Sequence, residues 1–107
     1  MTTFDKREEG FEKKFALDEE QKFKAKARRD RLLGLWAASQ LGISGEAALA
    51  YAREVVAADF AAPGDAAVVG KVMADLAAKG VAVTEAELQI KMQEFLAQAV
   101  AQVKAGI

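Results

Sequence analysis

The chain of 107 residues contains neither histidine nor cysteine. It therefore lacks the commonest general base, the commonest metal ligands and any means of forming a disulfide. Hydroxyl chemistry falls to Thr2, Thr3, Ser39, Ser44, Thr84 and Tyr51, which lie at the chain's start, at helix caps or on helix surfaces. The carboxylates Glu19/Glu20 and Glu85/Glu87 do not face one another on a helix. The stretch Gly64 to Val72 (GDAAVVGKV) superficially matches a phosphate-binding loop. However, five residues rather than four separate its glycines, Val72 stands where a hydroxyl should bind magnesium, and no strand precedes it. These patterns predict no enzyme, no metal and no cofactor.

The pattern richest in chemistry is one for binding. Phe4, Phe11 and Phe15 fall at i, i+7 and i+11, within about 40° of one another on a helical wheel. Asp5, Lys6, Arg7, Glu8, Glu9, Glu12, Lys13 and Lys14 surround them. Burying three phenylalanines stabilises by roughly 5–9 kcal/mol, whereas fixing some fifteen residues costs roughly 15–30 kcal/mol. Gly10, inside the stripe, adds about 1 kcal/mol to the cost of a helix. The arithmetic predicts that residues 1–17 are disordered alone and become an amphipathic helix in a partner's groove. The alternative is that the phenylalanines fold back onto the remainder of the chain. Against it, the aliphatic faces of the later helices match each other.

A basic run follows, with Lys22, Lys24, Lys26, Arg28, Arg29 and Arg31 relieved only by Asp30. On a helix these side chains point in every direction, which makes a solvated collar. Nucleic-acid binding needs a one-sided patch, stacking aromatics and a basic pI, whereas here the pI is about 5.5 and Phe23 is the sole interleaved aromatic. Asp18–Lys22 and Glu20–Lys24 at i, i+4 fit a solvated helix. A basic-arm protein that binds nucleic acid or the ribosome is the alternative functional reading.

Positioning these residues requires a body, and the composition makes it helical. Alanine supplies 24 residues, with nine leucines, three isoleucines and one proline, and alanine and leucine lose little rotamer entropy in a helix. Residues 1–31 hold 18 of the 31 charges, 10 basic and 8 acidic. No stretch approaches the roughly 20 apolar residues of a membrane span, and no secretory or transit pattern opens the chain, so a cytoplasmic location is expected. The periodicity predicts four helices over residues 18–107, an all-α four-helix bundle with a long first helix and a flexible N-terminal arm. The first helix ends at Leu41 before Gly42; its charged N-terminal half should project from the bundle. The second starts near Ser44, carries Leu49, Ala52, Val56 and Phe60, and ends at Ala62-Pro63-Gly64-Asp65. The third presents Val68, Val69, Val72, Met73 and Leu76 and stops at Gly80. The fourth opens on a capping box, Thr84 with Glu87, and carries Leu88, Met92, Phe95, Leu96, Ala99 and Val103. Gly34 is the expected point of tightest helix contact. Without histidine, no sharp protonation switch is expected between pH 6 and 8.

Several segments closely resemble the zeta-subunit family of bacterial inhibitors of the rotary F-type ATP synthase. They are Phe4-Asp5, Phe11-Glu12-Lys13-Lys14-Phe15-Ala16, Asp18-Glu19-Glu20, and Ala27 through Ala38 (ARRDRLLGLWAA). Tyr51-Ala52, Val55 through Phe60 and Pro63-Gly64-Asp65 add to the resemblance. It implies a four-helix bundle whose N-terminal segment inserts as a helix at an alpha/beta catalytic interface, near the gamma shaft, and blocks ATP hydrolysis. Carried over by position, it implies Phe4, Arg7, Phe11, Lys14 and Phe15 as partner-binding residues. The alpha, beta and gamma subunits would be the partners. The chain would act at the soluble head of the enzyme, as a monomer when free, with no direct membrane insertion.

Overall fold

Asp18 and Gln21 cap each other at the entrance to the first helix. The Asp18 carboxylate accepts from the Gln21 N–H at 2.7 Å, and the Gln21 side-chain oxygen accepts from the Asp18 N–H at 3.1 Å. In the computed structural model, which describes residues 17–107, this box opens α1 (Glu19–Gln40). It is followed by α2 (Gly45–Phe60), α3 (Ala66–Ala78) and α4 (Glu85–Lys104). Among the described residues the fold is the expected all-α arrangement of four helices.

Each stop and start has a local cause. Gly42 and Gly80 adopt φ of 75°, where a Cβ is strained. Behind Gly42 the Ile43 N–H donates to the Ala38 carbonyl at 2.8 Å, and behind Gly80 the Val81 N–H donates to the Leu76 carbonyl at 2.9 Å. These bonds close Schellman caps, with Ile43 and Val81 turned onto the core. Thr84 accepts from the Glu87 N–H at 3.1 Å, but the Glu87 carboxylate bonds the Thr84 hydroxyl rather than reaching the backbone. Only half of the expected capping box is therefore made. Ser44 occupies the N-cap of α2 without a side-chain bond.

The helix α1 is the axis of the fold, with α2 and α4 along it and α3 packed chiefly on α2. Phe23 lies by Phe60, and Gly34 lies by Ala52, so α1 and α2 run antiparallel, as short connections require. The core comprises Leu33, Ala37, Ala38 and Leu41 of α1, Tyr51 and Val55 of α2, Val68, Val69, Val72 and Leu76 of α3, and Leu88 and Met92 of α4. The stripes expected for α3 and for the start of α4 are in place, although Leu96 is largely exposed.

Two expectations change. The buried face of α2 is Tyr51, Ala52, Val55 and Asp59, rotated from the predicted stripe, so that Phe60 is exposed. The N-terminal half of α1 does not project from the bundle. Ala25, Arg29 and Asp30 are buried, and Arg29 finds charge partners at the far end of α2 and at the start of α3.

Candidate functional site

At that corner Arg29 holds three carboxylates. Its Nη2 donates to Asp30 Oδ1 at 2.8 Å, to Asp65 Oδ1 at 3.0 Å and to Asp59 Oδ2 at 3.2 Å. Its Nε donates to Asp30 Oδ1 at 3.1 Å, and its Nη1 to Asp65 Oδ2 at 3.3 Å. The planar guanidinium fork makes several directed bonds at once, which a lysine cannot do. Lys26 Nζ approaches Asp59 Oδ2 at 3.5 Å and sits 5.0 Å from the centre of the Phe60 ring. The Phe60 ring packs against Phe23 at 4.7 Å between centroids. Asp65 stands at the N-cap of α3 but makes no side-chain cap bond; its carboxylate goes to Arg29 instead. Three helices and the turn through Pro63 are thereby fastened together.

The electrostatics are unusual for so small a protein. Asp30 and Asp59 are completely buried, and the Asp30 Oδ2 and Asp59 Oδ1 atoms have no hydrogen-bond partner. Burial pushes the Asp30 carboxyl up to about 8, and the neighbouring Asp59 carboxyl pushes in the same direction against the opposing pull of Arg29. For Arg29 itself burial opposes the charge, but the bonds to Asp65 and Asp30 outweigh it and raise its affinity for its proton. Asp30 and Asp59 are enclosed, so no substrate reaches them, and the cluster's chemistry is to join helices. A smaller network joins α2 to α3, where the Tyr51 hydroxyl donates to Asp75 at 2.8 Å and Lys71 reaches Asp75 at 3.1 Å. Burial, followed by the bond to Asp75, raises the Tyr51 phenol above its ordinary value.

Phe4, Arg7, Phe11, Lys14 and Phe15, the residues that the sequence marks for partner binding, lie outside the described residues, as does the 1–17 arm apart from Leu17. Of the basic run, Arg29 belongs to the buried cluster and Lys24 pairs with Glu20 at 3.3 Å. Lys22 pairs with Glu19 at 3.5 Å, because Asp18 is engaged in capping. The Gly70-Lys71 pair lies in the middle of α3, and no phosphate loop exists there. Among the described residues no group of acidic side chains could hold a metal ion, and no helix is long and apolar enough to cross a membrane.

Sequence reasoning missed the carboxyl pair. Its signal was nevertheless present. Asp30 stands three positions before Leu33 on the line that continues through Ala37 and Leu41, and Asp59 stands four positions after Val55 on the buried face of α2. A carboxylate in register with a core stripe has to find a partner, and the Arg29 next to Asp30 is that partner.

The fold and the cluster together define a small four-helix protein whose ionic centre is architectural. A protein solved by solution NMR shares that architecture with a TM-score of 0.69 and 47% identity, over 79% of this chain and 96% of that one. The family model of the ATPase inhibitor subunit zeta matches residues 1–102, and the chain belongs to that family. No significant match to an individually curated protein was found.

Proposed function

We propose that this chain inhibits the rotary F-type ATP synthase by inserting residues 1–17 as a helix at an alpha/beta catalytic interface, beside gamma, and that the insertion blocks ATP hydrolysis. The observation that carries the reading is that the family match begins at residue 1, so it takes in the whole Phe4–Phe15 stripe along with the body. Phe4, Phe11 and Phe15 fill the interface cleft, while Arg7 and Lys14 set register and speed the encounter. The cleft supplies the apolar surface that the isolated segment lacks, which offsets the entropy of ordering it. The capped start of α1 at Asp18 separates arm from body, and the bulk of the body limits how far the arm enters. In this reading the chain is a cytoplasmic monomer when free, works without a cofactor at the soluble head of the enzyme, and binds neither nucleic acid nor the membrane.

The test is an ATP-hydrolysis assay of the isolated F-type enzyme with the full chain and with a variant lacking residues 1–17. The full chain should suppress hydrolysis, and the shortened one should not. Because the cluster and core lie within residues 17–107, the shortened chain should melt within a few degrees of the full one. A shortened chain that still inhibits would reject the arm as the inhibitory element.

A further inference from the structure

We propose that Asp30 and Asp59 share a single proton, and that this proton is a pH-sensitive latch fastening the first half of α1 to the corner between α2 and α3. The latch belongs to the free chain, so it can be tested without reference to the inhibitory reading.

The groups facing the pair are Arg29 and Lys26 from α1 and Asp65 from the N-cap of α3, alongside Asp59 from α2. With every group ionised, the cluster holds two cations against three carboxylates; Lys26 and Asp65 lie at its partly exposed edge, and the buried centre holds Arg29 against Asp30 and Asp59, one negative charge in excess. An excess buried charge is disfavoured strongly enough that the group takes up a proton instead. Hydrogen bonding gives the same answer. Asp30 Oδ2 and Asp59 Oδ1 are the two buried side-chain oxygens without partners among the described residues, and they belong to carboxyls that converge on one nitrogen, Arg29 Nη2, at 2.8 and 3.2 Å. One proton between them satisfies both oxygens and makes the cluster neutral. The other oxygens are already engaged, Asp30 Oδ1 by Arg29 and Asp59 Oδ2 by Arg29 and Lys26.

The direction of the pH effect follows from linkage. The Asp30 carboxyl is raised from the ordinary 3.8 to about 8. Between those values the folded chain keeps a proton that the unfolded chain has released. Stability therefore falls as pH rises through that window, and levels off once the folded pair has also ionised. Each pH unit in the window changes the folding equilibrium constant by about tenfold. The pair then carries two negative charges in the interior, which weakens the fastening of α1 to α2 although Arg29 still bonds Asp65. On this proposal a carboxyl, not a histidine, supplies a protonation step near neutrality.

Urea denaturation of the full chain at pH 6, 7 and 8, with Asp30→Asn beside it, tests the latch. In the variant the amide nitrogen donates to Asp59 in the proton's place, and the amide oxygen still accepts from Arg29. The wild-type folding constant should fall about fiftyfold between pH 6 and 8, and that of Asp30→Asn by less than threefold. Equal slopes in the two proteins, or a flat wild type, would overturn the latch. NMR titration of the wild-type Asp30 side-chain carboxyl gives a second readout that does not depend on the variant folding. A midpoint near 8, with shifts concentrated around residues 23–30 and 57–66, supports the shared proton; a midpoint below 5 rejects it.

Discussion

Arg28, Arg29 and Arg31 are three arginines within four positions, and only the middle one is buried. Nothing in residue type separates them; helical phase does, because Arg29 lies one turn after the buried Ala25. The cost of losing Arg29 follows from what it leaves behind. Truncation strands Asp30 and Asp59 in the interior, where breaking a buried ionic cluster by removing one partner costs about 3–5 kcal/mol. Arg29→Ala should therefore lower the urea midpoint sharply. Lys24→Ala, which removes an exposed pair with Glu20, should change stability by less than ~0.5 kcal/mol. Comparable losses in the two variants would mean that the cluster is not what holds the corner. The sequence made the basic run legible as a helix surface, but not this one residue's place in it. Two of its three partners are 30 and 36 positions away, and separations of that kind leave no local pattern.

At the scale of elements, the starts and stops of the helices were the most legible part of the fold. Glycines after Leu41 and Lys79, proline after Ala62 and the polar caps at Ser44 and Thr84 are local signals, and each falls within a few residues of a helix end. The rotation of α2 was less legible, because its alanines make the wheel apolar over a wide arc and leave the buried face to be chosen by the neighbours. One neighbour had announced itself. A Cβ on Gly34 would stand 2.6 Å from the Ala52 Cα and 3.1 Å from its Cβ, so the two helices approach backbone to side chain at that level. Gly34→Ala gains about 1 kcal/mol of helix propensity, yet it must push α2 away and disturb a packed interface, which costs ~1–3 kcal/mol or more. The net expectation is a less stable protein, by about 1–2 kcal/mol in denaturant titration. Gly70→Ala serves as the internal comparison. It has open space at its Cβ and should stabilise by up to ~1 kcal/mol. If both variants were stabilised, the close approach of α1 and α2 would carry no energetic weight.

Across the whole molecule the charges nearly cancel to −1, but residues 1–31 carry a surplus of two positive charges and the rest a deficit of three. That split is what left two functional readings open in the sequence, one resting on aromatic anchors and the other on a basic arm. The structure narrows the second. Arg29 is directed at carboxylates inside the fold, and Lys22 and Lys24 are paired along their own helix. Salt distinguishes the two readings at the level of the intact complex. A chain that binds by neutralising 6–10 phosphates loses roughly 10³–10⁵ in affinity between 50 and 200 mM salt. A helix anchored by phenylalanines depends on apolar burial, which salt does not screen, and its charges act mainly on the rate of encounter. The concentration of this chain that half-inhibits ATP hydrolysis should therefore rise by less than about tenfold over that range, with most of the change in the association rate. A rise of a hundredfold or more would place the binding energy in the charges of the arm, and the three phenylalanines would no longer explain what this protein does.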